Sequence, residues 1–285
     1  MRYQFIDANK KTWPIRLMCK VLNVSSSGFY EWCKRPESAQ DLSNKKLDEE
    51  ICEVFEDHKQ RYGVPRVTVE LKDRGYQCSE NRVARRMTKL GLKAVQAKKF
   101  KRTTDSNHDK PVAPDLIEQD FTAVAPNLKW VSDLTYIWTD EGWLYLAVIM
   151  DLYSRAIIGW SMGKRMTQQL MCDALTMALF RRGFPKGVII HSDRGSQYCS
   201  KAYQRLIKVN GLRCSMGRRA TCYDNAAMES FFHTLKVELV HRERYLTRQS
   251  AKGAIFEYIE TYYNRKRKHS AIGYRIPMLF EQESA

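Results

Sequence analysis

Residues 129–151 read KWVSDLTYIWTDEGWLYLAVIMD. Two runs in this stretch, 129–138 and 143–151, are rich in β-branched and aromatic side chains and predict buried strands. A third apolar run at 155–163 completes a three-strand meander. Working outward, the pattern predicts a helix over 167–181, a strand over 187–191, a helix over 200–210, a short strand over 212–216 and a helix over 225–241. A meander followed by alternating helix and strand specifies an α/β domain with a mixed five-stranded sheet.

Within this frame three carboxylates carry the chemistry. Asp133 interrupts the first strand, where aspartate is disfavoured unless it is paired or used. Asp193 follows GVIIHS, where a strand ends and a loop opens, and ligands of open α/β sheets collect at such ends. Glu229, in YDNAAMESFFHTLK, lies on an amphipathic helix and shares its stripe with Phe232, His233 and Lys236. Taken singly, each aspartate reads equally well as a turn former or cap, and Glu229 as a surface residue or a partner of His233. Gathered together they repel one another, and a fold that gathers them generally does so for hard cations, Mg2+ or Mn2+. Two such ions about 3.5–4 Å apart can clamp the attacking and leaving oxygens of a phosphoryl displacement. The chemistry this implies is metal-dependent cutting or joining of a phosphodiester. Lys236, seven residues after Glu229, lies about two helical turns on and can reach a phosphate at the metals. His191 and His233 lie near the acids, but a hard-cation site prefers oxygen ligands. Asp224 and Asn225 read as helix caps and Asp151 as a turn residue.

The chain has 285 residues, 44% of them hydrophobic, and a net charge of +16. Such a charge is compatible with a merely basic surface or with a polyanionic partner, and its distribution favours the partner. Arg82, Arg85, Arg86, Lys89, Lys93, Lys98, Lys99, Lys101 and Arg102 form a block without an acid, the footprint of a phosphate-tracking surface. The first four lie on a predicted helix that Ser79 caps, the second helix of a helix-turn-helix-like unit over 38–102. A shorter unit of this kind is predicted over 1–37; Pro14 in it, and Pro65 in the 38–102 unit, read as first helical residues. Residues 103–125 read as a polar, proline-containing linker. The catalytic α/β domain spans 126–241, and 242–285 reads as a basic helical tail whose Arg265, Lys266, Arg267 and Lys268 offer further DNA contacts. Eight cysteines show no zinc-ligand spacing, and neither a secretion signal nor a membrane-length apolar run is visible. A reduced, cytoplasmic protein without a membrane partner is expected.

The segments LKWVSDLTYI, HSDRGSQYCS, YDNAAMESFFHTLKVE and YNRKRKHSAIGYRIP, with 35 residues between Asp193 and Glu229, resemble the catalytic open reading frame of insertion-sequence transposases of the IS-three family, relatives of retroviral integrases. The resemblance runs over nearly the whole chain. It implies an RNase H-like catalytic domain of DDE type, with Asp133, Asp193 and Glu229 as the acidic triad and Lys236 as the basic residue following it. It also implies double-stranded DNA as partner, both the element's inverted-repeat ends and the target, cut by a metal-activated water and joined by the freed 3′ hydroxyl. A homo-oligomer in the synaptic complex, an upstream-frame protein supplying a helix-turn-helix and zipper, and a bacterial, nucleoid-associated location belong to the same expectation. Two alternatives stay open on the residues: a catalytically inactive DNA-binding regulator, and a metal nuclease acting on hybrids.

Overall fold

The computed structural model describes residues 1–95, 113–217 and 225–283. Three short helices come first: α1 (Arg2–Asn9), α2 (Ile15–Val21) and α3 (Ser26–Lys34). They enclose a separate small core of Ile6, Met18, Cys19 and Phe29. Pro14 occupies the cap position of α2 in an extended conformation, so the helix starts one residue later than predicted.

The second helical unit is α4 (Ala39–Asp57), α5 (Val64–Asp73) and α6 (Glu80–Lys89). Its apolar stripes interlock, with Ile51, Val54 and Phe55 against Val67, Leu71, Val83 and Met87. Beyond α5 the chain turns through Gly75 at φ +88°, a conformation open to a residue without a Cβ. Ser79 then caps α6 by accepting a hydrogen bond from the Arg82 N–H at 3.3 Å.

Five strands form one mixed sheet: β1 (Lys129–Thr139), β2 (Gly142–Asp151), β3 (Ile157–Gly163), β4 (Ile189–Ser192) and β5 (Arg213–Met216). Their order is β3-β2-β1-β4-β5, the meander antiparallel and β1-β4-β5 parallel. Helices α7 (Gln168–Arg181) and α8 (Lys201–Val209) cover one face over Trp130, Ala147, Ile149 and Ile158. Here α7 lies so close to β3 that a Cβ on Gly159 would stand 2.3 Å from the Ala174 carbonyl oxygen. Helix α9 (Ala226–Glu238) covers the other face, over Val131, Ile137 and Val148.

The C-terminal segment corrects the expectation of a basic tail. After α9 come α10 (Arg248–Phe256), a π-helical stretch Glu257–Tyr263 and α11 (Pro277–Gln282). Tyr245, Ile255, Tyr258, Ile259 and Tyr263 are buried in the same core that holds Leu47, Ile51 and Phe55 of α4. The aromatic side chains outweigh the flanking charges, so this segment ties the helical unit to the sheet. Polar contacts reinforce the tie: Arg61 donates to the Glu238 carbonyl at 3.1 Å, and Arg66 to the Lys268 carbonyl at 3.0 Å.

Candidate active site

The site forms where β1 and β4 part. Their parallel pairing ends at Val131 opposite His191. Asp133 lies two residues further along β1 and Asp193 directly after the last residue of β4, near enough for the Asp193 charge to act on Asp133. The Leu134 N–H donates to the Asp133 carboxylate at 2.7 Å, and the Gly195 N–H to the Asp193 carboxylate at 2.8 Å. Glu229 lies in the first turn of α9, with its side chain exposed.

Burial, and then the charges of Asp193 and Glu229, push the Asp133 carboxyl up to about 8 against the Leu134 hydrogen bond and the Lys236 ammonium. The charges of Asp193 and Glu229 therefore both act on Asp133 across this corner of the sheet. Burial in turn lowers Lys236 below its ordinary value, opposed by Tyr136 and Asp133. Its Nζ lies 5.4 Å from the centre of the Tyr136 ring. Among the described residues no three His, Cys, Asp or Glu side chains stand close enough together to hold a metal ion. The donor set nevertheless fits a hard cation, being oxygen throughout, with burial and the neighbouring negative charges together holding Asp133 towards protonation.

Two residues position this corner in ways the sequence did not disclose. Asn225 stands at the cap position of α9 but accepts no cap hydrogen bond from the helix; its amide instead donates to the Ser132 carbonyl at 3.2 Å, fastening the start of α9 next to Asp133. The buried Tyr198 hydroxyl shares a hydrogen bond with Ser132 Oγ at 3.2 Å. Neither carries a signal short of tertiary structure. His191 is buried against Ser215, its Nδ1 at 2.8 Å from the hydroxyl, while His233 is exposed.

The basic residues divide. Arg85, Lys89 and Lys93 are exposed. Arg82 bonds to Ser43 and Asn44 at 2.9 Å, and Arg86 is committed to Asp48, so half of the predicted α6 face braces α4. Lys98, Lys99, Lys101 and Arg102 lie outside the described residues. Arg265 and Lys266 are exposed. Arg267 and Lys268 overturn the expectation of a DNA-facing run: they are 4% and 7% exposed, Arg267 paired with Glu238 and Lys268 with Asp73 and Glu70. The chain leaving the π-helical stretch thus turns the second half of this charge run inward, although the four residues look uniform in sequence.

Comparison with known proteins bears on what this corner belongs to. The family described as Integrase core domain matches residues 123–222, an HTH-like domain matches 42–100, and a second Integrase core domain pattern matches 229–284. Transposase InsF for insertion sequence IS3A of Escherichia coli is 48% identical over 286 residues, covering 100% of this chain and 99% of its own length. The chain belongs to the IS3-family transposases. A second relative of this IS3-family transposase, the uncharacterized 31 kDa protein of insertion element IS600 from Shigella sonnei, is 45% identical over 93% of this chain and 98% of its own. Among solved structures, the simian T-cell lymphotropic virus intasome aligns at 17% identity and a TM-score of 0.45, covering 73% of this chain and 66% of that one. The HTLV-2 integrase catalytic core domain in complex with magnesium aligns at 17% identity and a TM-score of 0.43, over 56% of this chain and 99% of that one. As an IS3-family transposase the protein is a DDE-type polynucleotidyl transferase with an integrase core preceded by an HTH-like domain. Among its described residues no helix is long and apolar enough to cross a membrane.

Proposed function

We propose that Asp133, Asp193 and Glu229 are the acidic triad of this transposase and work with two divalent cations, Mg2+ or Mn2+, on double-stranded DNA. The observation that carries the reading is the placement of Asp133 on β1, of Asp193 just past the end of β4 and of Glu229 in the first turn of α9, with the charges of Asp193 and Glu229 both felt at Asp133. When bound, the cations supply charge neutralisation at the attacking and leaving oxygens. Asp133, on a rigid strand, and Asp193, at a strand end, hold the fixed side of the site, and Glu229 closes it from α9. Lys236 holds a non-bridging oxygen of the scissile phosphate through its ammonium. Arg85, Lys89, Lys93, Arg265 and Lys266 are the exposed cations that meet the duplex, drawn from the inverted-repeat ends and the target, within a homo-oligomeric synaptic complex.

The test is a set of charge-removing, volume-keeping variants. Asp133→Asn, Asp193→Asn and Glu229→Gln each abolish cleavage and joining of element-end duplexes while DNA affinity stays near that of the wild type. Near wild-type nicking in Mg2+ by any one of them removes that residue from the triad.

A further inference from the structure

Three aromatic side chains stand uncovered beside the acidic corner. Tyr136, Trp138 and Trp143 on the β1–β2 hairpin are 40%, 58% and 42% exposed. Their rings form a continuous ladder: Trp143 meets Tyr136 with centroids 4.9 Å apart and Trp138 at 4.8 Å, edge to face in both cases. Register accounts for the ladder, because Trp138 lies opposite Trp143 and Tyr136 opposite Tyr145 on one face of the hairpin. Further along, that face is the one α7 and α8 cover at Ala147 and Ile149. The cover thins at Leu134 and Tyr145, which are half-buried, and does not extend over the three rings. The hydrophobic core therefore does not require them, and a contiguous aromatic patch left in water marks a binding surface.

Two observations point to nucleic acid as the occupant. Lys236 reaches the Tyr136 ring, so the ammonium assigned to the scissile phosphate and the first ring of the ladder share one surface. On this side β1 pairs with β4 only as far as Val131, so among the described residues no strand pairs with that edge between Asp133 and Tyr136. The rim is also polar and carries charge pairs: Arg248 donates to the Trp143 carbonyl at 2.9 Å and lies 3.9 Å from Glu141, and the largely exposed Arg244 pairs with Asp140 at 3.0 Å. The core of a protein–protein interface is depleted of charge, whereas aromatic faces interleaved with cations bind unpaired bases.

We infer that Tyr136, Trp143 and Trp138 form a stacking platform for unpaired bases next to the phosphate held at Lys236. The inference rests on the reading of Lys236 and the three acids as the phosphodiester site. Terminal base pairs opened at a DNA end lose stacking within the duplex, and the ladder replaces it on protein rings.

The experiment uses the full chain, without divalent metal, and a duplex ending in a few unpaired nucleotides that carry 2-aminopurine. The same duplex with abasic sites at those positions is the control. For the wild type, binding quenches the 2-aminopurine fluorescence, and the base-bearing end binds about tenfold tighter than the abasic end, the scale of one stacked base. Trp138→Leu and Trp143→Leu lose that preference, while Trp138→Phe and Trp143→Phe keep most of it, with thermal melts as the control for folding. Equal wild-type affinity for both ends overturns the platform, as does an unchanged preference in the two leucine variants. A leucine variant that sediments as a smaller species yet keeps its base preference assigns the rings to a contact between copies and likewise overturns it. No bond is broken in this assay, so Asp133→Asn retains the preference, and a failed triad is distinguishable from a failed platform.

Discussion

Arg267→Met tests whether burial or charge decides the role of a cation in this chain. In the folded protein the Arg267 and Glu238 side chains are 4% and 8% exposed. Arg267 Nη2 and Nε donate to the Glu238 carboxylate at 2.7 and 3.0 Å, and the Tyr258 hydroxyl donates to the same carboxylate at 2.8 Å. Methionine keeps much of the volume and removes the guanidinium, leaving a buried carboxylate with the Tyr258 hydroxyl alone. Breaking one side of such a pair costs about 3–5 kcal/mol, a large share of the ~5–15 kcal/mol that holds a domain folded. At roughly 2–4 °C per kcal/mol for a chain of this size, the melting temperature falls by about 10 °C. The double variant Arg267→Met with Glu238→Leu recovers most of the loss, because a buried pair replaced by apolar groups is often neutral. Circular dichroism melts, run beside the salt dependence of duplex affinity, separate the two roles. Arg265→Ala with Lys266→Ala, on exposed positions, leaves the melt within roughly 0.5 kcal/mol of the wild type. A wild-type melt for Arg267→Met, combined with a flatter salt slope, would refute the argument and return Arg267 to the DNA face.

The same logic divides α6. Neutralising Arg85, Lys89 and Lys93 together lowers the slope of log K against log salt by about 0.9 for each phosphate these side chains no longer neutralise, whereas Arg86→Met shows mainly as a lower melting temperature, since Arg86 serves Asp48. Equal effects from both would show that the brace to α4 does not form. His58, stacked on Tyr62 with ring centres 3.6 Å apart, has its pKa lowered from 6.5 to about 4, chiefly by burial and also by Arg74 and Lys268, against Asp57. The folded state thus favours the neutral ring: its contribution is complete above pH 6.5 and is lost as pH falls towards 4. Denaturant titrations across that window are shallower in pH dependence for His58→Phe, and an unchanged dependence would place the acid sensitivity elsewhere. Lys236→Ala slows single-turnover strand transfer on pre-nicked ends and Lys236→Arg restores part of it, with metal affinity unaltered; equal rates for all three proteins would remove the ammonium from phosphate binding.

The strand segments were legible because each is an apolar run bounded by turn residues, and the predicted limits of β1 and β2 fall within one residue of the observed ones. Ser79 was legible as a cap because an N-cap is a local hydrogen bond, closed within four residues. The C-terminal segment was not, since Arg265 to Lys268 look alike in a one-dimensional charge run while their acidic partners lie on other elements: Glu238 is 29 residues from Arg267, and Asp73 is 195 from Lys268. Local pattern has no access to such separations. Asn225 reads as a simple cap for the same reason, although its amide serves Ser132, 93 residues away.

By itself, then, the sequence determined the elements, the α/β class, the family and which side chains have the chemistry for phosphodiester work. Those properties follow from short-range periodicity, capping and motif spacing. Tertiary structure alone decided which charges meet water and which meet one another. It brought Asp193 near Asp133 at the end of the parallel β1–β4 pairing, buried Arg267 and Lys268 against acids, and left the Tyr136–Trp143–Trp138 face exposed. The physical reason is that burial and Coulomb interaction depend on distance through space, which the chain establishes only when its layers close.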